Sequence, residues 1–288
     1  MDLTNLDTIK SLCQKFRIKP SKSLGQNFLL DKSVVEKMAA AAELSEKDTV
    51  LEIGPGFGVL TEELLPRVGR LVVIEKDKRL ADYLAKFKDE IEIVNEDVLK
   101  LSFSCHPELV SGSKRCRNEF GMTNENYKIV ANLPYQITSP ILWKFLMEEN
   151  NKPEMMVIMV QKEVGERICA KTGQMSVLSV MCQLYADCEF LFEVKRDKFY
   201  PAPDVDSAVI KLVIKKQELK INEKDFIRLV KFGFSAKRKM LKNNLSGGLQ
   251  KPMAEVVSAL KAVKLDEKVR AQELGVEEWV KLCQKLAN

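Results

Sequence analysis

Histidine is nearly absent: the 288 residues contain one, His106. That excludes most histidine-rich metal sites and leaves a Ser-His-Asp mechanism improbable. Long apolar runs are also missing. The longest, MMVIMV at residues 155–160, falls well short of the ~20 residues a membrane-spanning helix needs. The first residues carry Asp2 and Asp7 ahead of any basic side chain and no apolar stretch, which is not the pattern of a signal peptide. The seven cysteines are odd in number and form no CxxC pair. Together with the missing signal, that reads as reduced thiols in the cytoplasm.

What is present is an ordinary globular composition, 45% apolar and 30% charged, in a chain long enough for two domains. The net charge of +5 is small, but its distribution is uneven. Residues 231–242 hold five basic side chains (Lys231, Lys237, Arg238, Lys239, Lys242) and no acid, which leaves the rest balanced at 41 basic against 41 acidic. A basic patch on a neutral body suggests a polyanionic partner. Judged on charge alone, the bland reading is favoured, a solvated helix face.

From residue 48 to 160, short apolar runs alternate with helical stretches. Residues 49–53, 71–75, 91–94, 128–131 and 155–160 read as buried strands, and 60–65 and 78–87 as helices between them. That alternation implies a parallel sheet covered on both faces. Two further β-rich runs, 189–194 and 207–214, flank the Pro-rich corner FYPAP at 199–203 and read as a hairpin that adds an antiparallel strand. After residue 216 the periodicity is helical, at 226–234, 252–263 and 276–286. The expected division is therefore an α/β domain over 1–216 and a small helical domain over 217–288. Residues 1–20 form an amphipathic helix with Leu6, Ile9, Leu12, Cys13 and Phe16 on one face. Residues 102–126 break the pattern with Ser, Asn, Gly and charge. They read as a disordered surface insertion, whose string HPELVSGS looks like a translated mobile element. His106, Cys105 and Cys116 lie in it, but their spacing fits no zinc pattern and no metal site is expected.

LEIGPGFG, residues 51–58, follows the first strand and opens a helix. Gly54 and Gly56 permit a tight turn and close ligand approach. The dinucleotide pattern GxGxxG is not met, because Val59 stands where its third glycine belongs and Gly58 gives GxGxG instead. Alone, such a turn is weak evidence and is as readily structural. Glu75 ends the second strand, 21 residues after Gly54, where an acid can accept bonds from both ribose hydroxyls of a nucleoside. Asp97 follows the third strand and could accept from an adenine amine. Three loops at the C-terminal ends of consecutive parallel strands line one crevice. GxGxG, then Glu, then Asp at strand ends is the arrangement of S-adenosylmethionine-dependent methyltransferases.

The fourth strand runs into NLPY, Asn132, Leu133, Pro134 and Tyr135. An aromatic amine is a poor nucleophile, because its lone pair is delocalised into the ring. Asn132 Oδ1 and a neighbouring carbonyl can accept its hydrogens, hold the nitrogen in line with a methyl sulfonium and favour a pyramidal geometry. Pro134 presents a carbonyl without adding a donor, and Tyr135 offers a stacking surface for an extruded base. No strong general base is required. The bland alternative is a proline turn after a strand.

With these motifs the chain resembles the ribosomal RNA adenine N6,N6-dimethyltransferase family, the KsgA family of small-subunit rRNA methylases. The likeness runs through KSLGQNFL (22–29), LEIGPGFG, NLPY, QKEVGER (161–167), FYPAPDVDS (199–207) and GFSAKRKMLKNNL (233–245). It implies a Rossmann-like, mostly parallel methyltransferase sheet with one antiparallel strand and a C-terminal helical RNA-binding domain. It implies S-adenosylmethionine as cofactor, contacted by Asn27, Leu29, Gly54, Gly56, Glu75, Asp97 and Asn132. Asn132, Leu133, Pro134 and Tyr135 would form the reacting element, with Phe199 a second stacking aromatic. Lys237, Arg238, Lys239 and Lys242 would bind RNA. The implied substrate is the small ribosomal subunit, at two adjacent adenines in a loop near the 3′ end of its rRNA, each methylated twice during ribosome biogenesis. The enzyme would be a cytoplasmic monomer with no DNA or membrane partner. The family connection is shorter at residues 102–126.

Rival readings are separable. A large-subunit rRNA adenine methylase of the antibiotic-resistance type shares the cofactor and NLPY motifs, but the extended motif at 233–245 points away from it. An RNA-binding assembly or transcription factor on this fold would lose NLPY or Glu75, and both are intact. DNA adenine methyltransferases typically carry D/N-P-P-Y and a separate recognition domain. A cytosine-C5 methylase needs a cysteine next to proline, which is lacking here.

Overall fold

The computed structural model describes residues 1–20, 25–103, 126–216 and 221–286. The chain divides into two compact units. The first comprises residues 1–165 and 189–214, the second residues 166–188 and 215–288. A boundary drawn only at 216 does not anticipate that residues 166–188 group with the C-terminal helices.

The chain opens with α1 (Leu6–Lys15), capped by the Asn5 side chain, which accepts from the amides of Asp7 and Thr8. Ile9, Leu12 and Cys13 are buried, whereas Leu6 is exposed. There follow β1 (Phe28–Leu29), α2 (Lys32–Ala41), β2 (Thr49–Ile53), α3 (Val59–Leu64), β3 (Arg70–Ile74), α4 (Lys78–Leu84), β4 (Glu92–Val94) and β5 (Tyr127–Asn132). Then come α5 (Thr138–Trp143), β6 (Met155–Gln161), α6 (Lys162–Ile168), α7 (Val177–Tyr185), β7 (Ala186–Val194), β8 (Phe199–Tyr200) and β9 (Ser207–Ile214).

Among the described residues one sheet has the order β4-β3-β2-β5-β6-β9-β7. The pairs β2·β3, β2·β5, β3·β4 and β5·β6 are parallel, and β9 runs antiparallel to β6, with Met155 opposite Val213 and Gln161 opposite Ser207. This is the α/β sheet, parallel with an antiparallel strand added, that the alternation of apolar runs and helices implies. The central strands are covered on both faces: Val50, Leu51, Ile129, Val130 and residues 156–160 are fully buried. Strand order reverses between β2 and β5, so a crevice opens at their C-terminal ends. The short antiparallel pair β1·β8, which puts Leu29 opposite Phe199, has no counterpart in the sequence reading, because two-residue strands carry no periodicity.

Residues 104–125, with His106, Cys105 and Cys116, lie outside the described residues, as do residues 22–24 of the first matched motif. The flanks of residues 104–125 are well anchored. Phe103 is buried against Phe145 at 5.0 Å, and its amide donates to Glu149 Oε2 at 3.1 Å. Glu149 in turn pairs with buried Lys144 at 2.6 Å. On the other side Tyr127 is buried and donates its hydroxyl to Asn151 O at 3.0 Å.

The second unit contains α7 with α8 (Glu223–Gly233), α9 (Leu241–Leu249), α10 (Met253–Ala262) and α11 (Val276–Leu286). Phe226, Val230, Leu241, Leu245, Leu260, Trp279 and Leu282 form its core. Gly233 is there because a Cβ would stand 2.3 Å from Trp279 Cη2. No helix among the described residues is long and apolar enough to cross a membrane.

Candidate active site

One cavity, about 140 Å³, lies at the C-terminal ends of β2, β3, β4 and β5. It is lined by Gly54, Pro55 and Gly56 after β2, Glu75 and Asp77 after β3, Asp97 after β4, and Asn132 and Pro134 after β5. Residues 25–29, which precede and form β1, complete the wall. The structure thus gathers Asn27, Leu29, Gly54, Gly56, Glu75, Asp97 and Asn132 around one space, from segments up to 105 residues apart.

The turn after β2 needs its glycines. Gly54 and Gly56 have φ of +68° and +61°, a region L side chains rarely adopt. The Gly54 amide donates to Ile74 O at 2.9 Å, and so extends the parallel ladder into the turn. Gly25 is equally constrained: its φ is +63°, and a Cβ would stand 2.9 Å from Pro134 Cβ. This close approach seats the N-terminal segment on the NLPY turn.

Glu75 is 7% exposed. Its Oε1 accepts from the Asp77 amide at 2.8 Å and its Oε2 from the Gly56 amide at 3.3 Å. Burial pushes its carboxyl up to about 7, although these amide bonds pull the other way. Asp77 caps α4, and its carboxylate takes bonds from Arg79 at 2.6 Å and from Gln26 at 3.1 Å. The Arg79 bond, with help from Gln26, holds Asp77 below the usual carboxylate range. Arg79 also donates to Arg17 O at 3.0 Å, a second tie to the N-terminal segment. Burial works to raise Asp97, but the bond from Lys76 Nζ at 2.9 Å and the Leu99 amide hold its carboxyl low.

Asn132 ends β5. Its Nδ2 donates to Asn27 O at a long 3.5 Å. Leu133 is buried in the core, and its amide donates to Met159 O at 3.2 Å. Tyr135 is half-buried, with its hydroxyl fixed to Ser207 Oγ at 2.6 Å. Burial raises its phenol above the ordinary value. Leu133, Tyr135 and Phe199 do not line this cavity. Phe199 is buried at 4% exposure beside Leu29.

The basic residues belong to the second unit. Lys237, Arg238 and Lys239 are exposed in the turn between α8 and α9, whereas Lys242 is half-buried and pairs with Glu267 at 3.9 Å.

Sequence reasoning missed Glu52. It is 1% exposed near the C-terminal end of β2 and lines the cavity, and its Oε2 accepts from Thr61 Oγ1 at 2.7 Å. Burial pushes it up to about 8; the Thr61 bond opposes this and the charge of Glu75 adds to it. One charged residue inside an apolar strand was a readable signal. Gln26 and Asp77 were missed too, because their roles depend on contacts between distant segments.

Carboxyl groups dominate the lining: Glu52, Glu75, Asp77, Glu96 and Asp97 face one basic residue, Lys76, although burial keeps Glu52 protonated up to about pH 8. Fold and cavity together define a Rossmann-like methyltransferase. The chain matches the profile of the ribosomal RNA adenine dimethylase family over residues 17–288, and it belongs to that family. It is similar to ribosomal RNA small subunit methyltransferase A of Dehalococcoides mccartyi, at 42% identity over 97% of this chain and 92% of the relative. The protein of the same description from Natranaerobius thermophilus is 35% identical over 100% of this chain and 98% of its own. Among solved structures, 23S rRNA methyltransferase ErmE matches at TM-score 0.70 and 29% identity, covering 91% of this chain and 100% of its own. A dimethyladenosine transferase from Plasmodium falciparum matches at 0.72 and 26%, covering 88% and 95%. The protein is accordingly an rRNA adenine dimethyltransferase.

Proposed function

We propose that this enzyme uses S-adenosylmethionine to dimethylate two adjacent adenines near the 3′ end of small-subunit rRNA during ribosome biogenesis. The observation that carries this reading is the convergence of the glycine turn, Glu75, Asp97 and Asn132 on one acidic cavity. Such a lining suits a cationic donor, and Glu75, buried and held by the backbone amides of Gly56 and Asp77, suits a diol. The donor supplies an electrophilic methyl on a sulfonium.

Every other requirement falls to the chain itself. Glu75 holds the ribose, Asp97 the adenine, Gly54 and Gly56 admit close backbone approach, and Asn27 and Leu29 close the N-terminal side. Asn132 Oδ1 accepts a hydrogen of the target amine, and a carbonyl of the Leu133–Pro134 segment accepts the other. The two acceptors orient the nitrogen lone pair toward the methyl. Tyr135 stacks on the extruded base, its ring fixed through Ser207. Phe199, buried opposite Leu29, is the second aromatic for the target base. Lys237, Arg238, Lys239 and Lys242 contact phosphates, the paired Lys242 least.

The small subunit is favoured over the large by the relatives named small subunit methyltransferase A, at 35–42% identity. A ribosomal substrate makes the site of action cytoplasmic, without DNA, and the enzyme works as a monomer. Methyl incorporation from labelled donor into isolated small and large subunits tests this. Label in small-subunit rRNA alone is expected, and label confined to the large subunit would overturn it.

A further inference from the structure

Asn244 belongs to the motif at residues 233–245 and lies in the second unit. It sits in α9 at 7% exposure, and its Nδ2 donates to Gly233 O at 2.6 Å and to Ala236 O at 3.1 Å. Those carbonyls mark the end of α8 and the start of the turn that follows. The turn is also held nearby. Phe234 stacks on Trp279 at 5.6 Å between centroids, and at the far end the Leu241 amide donates to Val269 O at 2.8 Å. Between these anchors Lys237, Arg238, Lys239 and Met240 are all exposed.

Asparagine is a poor helix former, and burying its amide is unfavourable unless both hydrogens are bonded. Here they meet the Gly233 carbonyl, which an apolar side chain would leave without this donor, and the Ala236 carbonyl, which the Lys239 amide also reaches at 3.0 Å. Aspartate, equal in size, would set acceptors against acceptors.

We infer that Asn244 is a positioning residue for rRNA binding: by fastening the carbonyls of Gly233 and Ala236 it fixes the shape of the turn that carries Lys237, Arg238 and Lys239. Cations on a fixed turn meet phosphates without being ordered first, so less conformational freedom is lost on binding. The inference rests on reading that turn as a phosphate-binding surface.

The test is a double-mutant cycle in the full-length protein, with affinity for isolated small subunits measured for wild type, N244D, K237E/R238E and the triple variant. N244D should bind roughly 5- to 20-fold more weakly, with S-adenosylmethionine affinity by calorimetry unchanged. The triple variant should bind no more weakly than K237E/R238E, because Asn244 acts through those cations. Wild-type binding by N244D, or a loss that adds in full to that of K237E/R238E, would overturn the inference. If K237E/R238E itself binds as wild type, the phosphate-binding reading fails first and this inference fails with it. Should N244D melt below the assay temperature, A236G loosens the same turn with the core amide intact. It should show the same coupling, and additivity there would be equally contrary.

Discussion

Oε2 of Glu75 accepts a hydrogen bond from the amide of Gly56 across 3.3 Å. The acid that follows β3 and the glycine turn that follows β2 are therefore one structural unit, and the carboxylate is aimed before any ligand arrives. Pre-aiming has an electrostatic cost, because the same burial that fixes the group disfavours its charge.

Glu75→Ala should weaken S-adenosylmethionine binding while sparing the fold. Each charge-assisted bond to the ribose contributes on the order of 1.5–3 kcal/mol. Because the free carboxyl titrates at about 7, donor affinity should rise with pH through that value and then level off. Calorimetry across pH checks both expectations, and an unchanged affinity in the variant would remove Glu75 from the site.

Glu52 should make the protein less stable as pH rises. Its carboxyl ionises near 4.5 when unfolded and near 8 when folded. Within that window the folded state holds a proton that the unfolded state has lost. The contribution is full below the lower value and declines by about 1.4 kcal/mol per pH unit until the upper one. Glu52→Gln is neutral throughout and can still accept from Thr61, so it should flatten this slope. Denaturant titrations at several pH values provide the measurement, and parallel profiles would contradict the assignment.

The sheet was legible because each buried strand is a short apolar run bounded by turn residues, and NLPY and GxGxG are local strings. Glu75 and Asp97 were legible because parallel strands put their C-terminal ends on one side. What escaped was non-local. The pairing of Phe199 opposite Leu29, which buries its ring, is not legible from the string FYPAP. Lys242 reads as one cation among several, yet it pairs with Glu267. Glu52, Asp77 and Asn244 depend on partners whose approach no periodicity encodes. The grouping of residues 166–188 with the C-terminal helices likewise follows from packing.

Replacing residues 104–125 by a short Gly/Ser linker should leave activity intact and move the melting temperature by only a few degrees. Loop length acts weakly, at about 0.6 kcal/mol per doubling. Phe103→Ala, by contrast, removes a ring packed on Phe145 and should cost about 3–5 kcal/mol. A large fall on loop replacement would show that those residues contribute to packing.

K237E/R238E should weaken rRNA binding and flatten its salt dependence, by roughly 0.7 to 0.9 in logarithmic slope for each phosphate no longer neutralised. Donor affinity should not move. An unaltered salt slope would return these residues to the status of a solvated surface.

The proposed mechanism turns on Asn132, which orients the target amine as the methyl is transferred. Single-turnover methyl transfer on isolated small subunits tests this role, with Asn132→Ala beside Tyr135→Ala. Asn132→Ala should slow the step by roughly 10²-fold or more, as for loss of one transition-state hydrogen-bond partner. Its rRNA affinity should change little, because phosphate contacts dominate it. Tyr135→Ala should also raise KM, because stacking holds the base in the ground state as well. Near wild-type turnover by Asn132→Ala would mean that NLPY is a structural turn and that the methyl is transferred elsewhere.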